Sequence, residues 1–229
     1  ATFAVFGVAL VLVVPIVVSL YEPDTTQDKS SQISSKETSR KDFLIIFGIY
    51  ILTFLAMVLL FMVPSQIPFF LVDIDVLSPF EAGLAVGLFS LSGGISSLIF
   101  PWLRRQFGVS LLFALVFADI SICYILISTS TDIYDVVIAL LIGGFSVGAF
   151  LPNATLVILA RSAPIFRGRA LSCLTAAFFL GQFTSPLYSL PIIKWTSLGQ
   201  SFFYSGVLAA LVSTFFIFMI ICLKIREYN

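Results

Sequence analysis

Asp119 is the only ionisable residue near the centre of any long apolar run in this chain. A carboxylate held at mid-bilayer costs about 3 kcal/mol on insertion scales, so it faces a cavity or finds a partner. Two chemistries fit it. Asp119 can bind and release a proton in a low-dielectric site, or it can form a structural hydrogen bond with Ser121 or a neighbouring helix. Three amides, Gln66, Asn153 and Gln182, fall in three different apolar runs. Each can hydrogen-bond a small molecule along a substrate pathway, or bond an adjacent helix for about 0.6 kcal/mol. Pro64 and Pro68 flank Gln66, and Pro152 precedes Asn153. A proline that breaks a helix frees backbone carbonyls, which then need partners.

Other chemistries find no residues. The chain has no histidine, and its three cysteines, Cys123, Cys173 and Cys222, all lie inside apolar runs. Neither a metal site nor a disulfide framework is expected from that set. Small apolar packing is the ordinary use of such cysteines. There is no G-x-x-x-x-G-K-[ST] loop for a nucleotide and no G-x-S-x-G. No two carboxylates share a run. Neither a cofactor, an enzymatic centre nor a nucleic-acid partner is expected.

The elements that carry these residues are seven apolar runs: 1–20, 43–72, 80–101, 109–128, 134–160, 170–193 and 201–223. Each is near or above the ~20 residues that cross a bilayer core as a helix. The composition, 59% hydrophobic and 10% charged with mean hydropathy +1.12, is that of a membrane protein. A soluble domain carries about 25% charged residues. Backbone groups in lipid must be paired, so the runs are helices; they are too long and too continuously apolar for barrel strands.

Threading the runs alternately through a bilayer sorts the charges. Lys29, Lys36, Arg40, Lys41, Arg104, Arg105, Arg161, Arg167, Arg169, Lys224 and Arg226 fall on one side, and Lys194 alone on the other. Basic residues beside spans stay cytosolic. The chain is expected to enter from outside and end inside, as a multi-pass protein of a plasma or inner membrane. The bland role of Arg104, Arg105, Arg167 and Arg169 is to anchor this topology. A sharper role for Arg167 and Arg169 is gating, by bonding carbonyl-rich helix ends when the cytosolic side closes.

Residues 21–42 are polar throughout and cannot bury enough apolar area to fold alone. They read as a cytosolic linker between one span (1–20) and a six-helix domain (43–229). Later loops are short, which makes sequential spans antiparallel neighbours. Run 1–20 lacks a basic n-region and is too long for a signal peptide. Because the chain begins with Ala, residue 1 reads as a cut inside a longer protein. Within the domain, Pro64–Pro68 and Pro152–Asn153 interrupt the first span of each half-domain triplet at similar depths. Such matched interruptions suggest a 3+3 repeat and a transporter's binding region. Gly83/Gly87 and Gly144/Gly148 form G-x-x-x-G pairs, which permit close helix contacts.

Three stretches give the chain a family resemblance: VPSQIPFFL at 63–71, PWLRRQFG at 101–108 and RSAPIFRGRALSCLTAAFFLGQFTSPL at 161–187. Together they resemble the C-terminal half of the major facilitator superfamily, in particular its multidrug and sugar efflux permeases. The likeness covers essentially the whole chain. The PWLRRQFG loop departs from the family pattern by lacking the acid that usually precedes its glycine. The resemblance implies that 1–20 corresponds to the family's sixth helix and 43–229 to a C-terminal six-helix bundle with an inverted repeat. It also implies proton-coupled export of a small molecule or drug by alternating access, with an N-terminal six-helix half as partner. The family places its ninth helix, here the one carrying Asp119, at the bundle periphery. The competing expectation is a seven-helix receptor or sensor. Against that, the long polar stretch follows the first span, and run 201–223 has no lysine to hold retinal.

Overall fold

A computed structural model describes residues 39–74 and 78–228. Run 1–20, the polar stretch through residue 38, and Asp75 lie outside the described residues. Among the described residues the secondary structure is helical throughout: α1 (Arg40–Leu60), α2 (Met62–Asp73), α3 (Pro79–Thr129), α4 (Ile133–Arg161), α5 (Arg167–Trp195) and α6 (Leu198–Tyr228), with a 3-10 turn at Pro164–Phe166. Five helical stretches are long and apolar enough to cross a membrane.

The longest of them, α3, has 51 residues and would reach roughly 75 Å if straight, far beyond a ~30 Å hydrocarbon core. It is not straight. Gly108 has φ 68° and ψ −172°, which splits α3 into two arms, 79–107 and 109–129. That backbone region is open essentially to glycine alone. Contacts with α4 show that the chain reverses there. Ser92 and Ser96 of the first arm donate to the carbonyls of Leu141 and Phe145, so that arm runs parallel to α4. On the second arm, Val109 meets Asn153 and Asp119 meets Ser146, so it runs antiparallel. The bundle therefore has six rods: α1–α2, the two arms of α3, α4, α5 and α6.

Three pairings organise the rods. Rod one packs parallel to rod five, with Tyr50 bonding the Ala170 carbonyl and Gln66 bonding Ser189. A Cβ on Gly181 would fall 2.5 Å from the Phe54 carbonyl oxygen, so only glycine permits that approach. Rod two packs parallel to rod four. There a Cβ on Gly148 would collide with the carbonyl of Gly93, and one on Gly144 with that of Phe89. Rod three packs antiparallel to rod six, where Ser213 bonds the Ala114 carbonyl and Gly206 faces Tyr124. Lipid tails are as apolar as the helices, so close packing and interhelical hydrogen bonds hold such a bundle together. The core is aromatic: Phe113, Phe117, Tyr124, Phe150 and Phe202 are fully buried. Phe113 and Phe150 lie 5.7 Å apart, Tyr124 and Phe202 5.3 Å.

Helix boundaries differ from apolarity alone in four places. The first rod begins at Arg40, inside the polar stretch, and puts Asp42 in its first turn. An acid is favourable at that end of the helix dipole. Rod one is interrupted at Phe61 rather than at Gln66. Pro64 has no N–H for the Leu60 carbonyl and crowds it, so the break falls one turn upstream. Rod two runs through Pro101 to Phe107, and α4 runs unbroken through Pro152. In lipid a helix with one missing bond costs less than an opened backbone.

The rod directions bring Arg40, Lys41, Arg104, Arg105, Arg161, Arg167 and Arg169 to one end of the bundle. Arg161 at the end of α4 pairs with Asp42 at the start of α1, 3.0 Å apart. Lys194 lies at the opposite end, with Asp73, Asp132 and Asp135.

Candidate functional site

Gln66 lies one turn past the break in rod one. It is 6% exposed, and its Nε2 donates to Ser189 Oγ at 3.0 Å. It also lines a cavity of about 530 Å³ with Ser65, Phe69, Asp73, Pro186 and Leu190, toward the acidic end. Asn153 is fully buried near the cationic end. Its Nδ2 donates to the Val109 carbonyl at 3.1 Å, beside the Gly108 reversal, and its Oδ1 has no partner. Gln182 is half-buried on α5, beside the close contact at Gly181, and makes no hydrogen bond among the described residues. The amides thus occupy three depths. The structure does not gather them into one pocket.

Asp119 projects from rod three toward α4. Its carboxylate accepts the main-chain N–H of Ser146 at 3.0 Å. The approach is possible because Gly143, almost one turn away, has no side chain to keep Cys123 off. No cation lies against Asp119 among the described residues. Cys123 is buried, while Cys173 and Cys222 are exposed on the outer surface of the bundle.

The arginines separate. Arg104 and Arg105 lie in the last helical turn before Gly108, not in a loop. Arg167 and Arg169 open α5, where positive charge opposes the helix dipole. Among the described residues neither bonds a helix-end carbonyl; Arg169 stands 5.9 Å from the Phe166 ring centroid.

Several interhelical bonds have no counterpart in the sequence reading. The Tyr124 hydroxyl donates to the Leu59 carbonyl, in the turn where rod one breaks. Tyr188 and Ser205 lie 3.3 Å apart, and Ser205 also reaches Met62 Sδ. Single hydroxyls within apolar runs are the available signal, but most of their partners are carbonyls, which every residue has.

No family model matches the chain, and no curated protein matches it.

Proposed function

We propose that this chain is the C-terminal half of a secondary active transporter of the major facilitator type. It exports a small molecule in exchange for protons by alternating access. The observation that carries this reading is the symmetry of the rod pairings. Exchanging rods one, two and three for four, five and six turns the parallel pair one–five into four–two and leaves three–six in place. Rods one and four run in opposite directions, joined by Arg161 and Asp42. An inverted repeat would give that arrangement, and alternating-access carriers are built on such repeats.

Two faces that the described residues leave without partners favour a second six-helix half. Rod two exposes Gly83, Gly87, Ser90 and Gly94 along one stripe, and a Cβ on any of the three glycines meets nothing within 4 Å. Rod five is mostly exposed, Ser172, Thr175, Phe179 and Phe183 included. Small residues on a rod serve a neighbouring helix better than lipid. The cationic end is cytosolic by the distribution of Lys and Arg, and the membrane is a plasma or inner membrane. Gln66 and Gln182 border the substrate pathway, Asn153 supports it from the cationic end, and Asp119 carries the coupling proton.

The test is transport by the chain reconstituted with an N-terminal six-helix half in proteoliposomes of acidic lumen. Lipophilic dyes should accumulate and escape when a protonophore is added. Accumulation indifferent to the protonophore overturns the coupling.

A further inference from the structure

A second cavity, of about 880 Å³, opens at the cationic end and separates rods one and six. Ligand sites span roughly 300–1,000 Å³. It lies within one six-helix unit and needs no wall from a second. Its lining is almost wholly apolar, with Ile49, Leu52, Phe113 and Phe215 among the walls, yet Arg104 and Arg161 also border it. Arg161 is paired with Asp42. Arg104 is half-buried and has neither a carboxylate nor a hydrogen-bond acceptor among the described residues. Two guanidinium groups against one carboxylate leave one positive charge at the mouth.

A guanidinium cannot shed its proton, and its planar fork suits phosphate oxygens bidentately. Along rod one the lining extends from Ile45 to Leu55, about 15 Å of helix. A free phosphate would leave that depth unfilled. A zwitterionic lipid would bring its own cation to a mouth already positive. Basic pockets between membrane helices suit anionic headgroups at the cytosolic leaflet. We propose that this cavity holds one acyl chain of an anionic phospholipid, its phosphate bridging Arg104 and Arg161. The site depends on the chain being a membrane protein, not on its being a transporter.

The test uses the whole chain in detergent, titrated with phosphatidylglycerol or with phosphatidylcholine of the same acyl chains, and lipid retention read by native mass spectrometry. Phosphatidylglycerol should be retained about tenfold more tightly than phosphatidylcholine. Arg104→Gln should abolish that preference, and Arg104→Lys should reduce it while keeping the charge. Gly48 borders the cavity, and a Cβ there meets nothing within 4 Å, so Gly48→Phe should fill it without disturbing the fold. That variant should lose retention of phosphatidylglycerol while its helical circular dichroism is unchanged. Equal retention of the two lipids, or a preference that survives both Arg104→Gln and Gly48→Phe, overturns the proposal. Inorganic phosphate displacing the lipid at equal concentration overturns it too, since the site would then bind phosphate without the chain. None of these readouts uses transport, so the lipid site and the proposed carrier function fail separately.

Discussion

At Asp119 a carboxylate meets one main-chain N–H, that of Ser146, at 3.0 Å, and no cation among the described residues. On the proposed function, a proton serves as its counter-charge. Asp119→Asn keeps an acceptor for the Ser146 amide and removes the exchangeable proton. The variant should unfold at nearly the wild-type temperature and still exchange substrate between equal pools. The rate of proton-driven accumulation should fall about a hundredfold or more, the usual scale for removing a proton-transfer group. Unchanged accumulation would reduce Asp119 to a packing contact between rods three and four. Asn153 poses a different problem, because one of its polar atoms is satisfied and the other is buried without a partner. Asn153→Leu loses the bond to Val109 but also removes the orphaned oxygen. The two effects nearly offset, so its stability should stay within about 1 kcal/mol of wild type. Asn153→Asp buries a charge at the same place and should cost about 3 kcal/mol or more. Thermal unfolding of the two variants in detergent separates them.

Glycines set the distances between rods, and their surroundings predict opposite outcomes for the same substitution. Gly148→Ala drives a methyl group into the Gly93 carbonyl and should cost about 1–3 kcal/mol as rods two and four part. Gly87→Ala meets open space within the same membrane region. In the isolated chain it should be neutral or stabilising by up to about 1 kcal/mol, since alanine suits a helix interior better. Guanidinium or thermal melts in detergent check both. The sequence pattern marks both pairs alike, because G-x-x-x-G spacing shows that a face is small without showing what lies opposite. Rod positions are legible for a stronger reason: lipid forces each apolar run into a helix, so runs 43–72 through 201–223 map onto the six rods. Their ends are less legible. A proline signals a stop at Pro101, yet Gly108 makes the turn, because only its backbone reaches φ 68° with ψ −172°. The site shows the same limit. Gln66 is readable as an interhelical amide, but the partners of Asp119, Asn153 and Tyr124 are main-chain groups that no residue type announces.

Across the whole molecule, the described bundle seals some faces and leaves others open. Rods three and six close on each other through Gly206 and Ser213, and rods one and four tie their ends by Arg161 and Asp42. Rods two and five remain unpartnered on one side, with small and hydroxylic residues toward the bilayer. If the chain is one half of a carrier, as proposed, a pathway between two rocking halves cannot form from it alone. The chain alone, reconstituted in proteoliposomes, should therefore fold and insert yet carry no dye under a pH gradient. Flux should appear when an N-terminal six-helix half is supplied in the same vesicles. Gly87→Leu should separate the two properties. Its side chain has open space among the described residues, so the bundle still forms; at a helix interface it would push the second half away. The expected result is normal folding by circular dichroism, with loss of both co-purification of the second half and flux. Dye transport by the chain alone would mean that the pathway lies inside the six rods, and the open faces of rods two and five would then need another use.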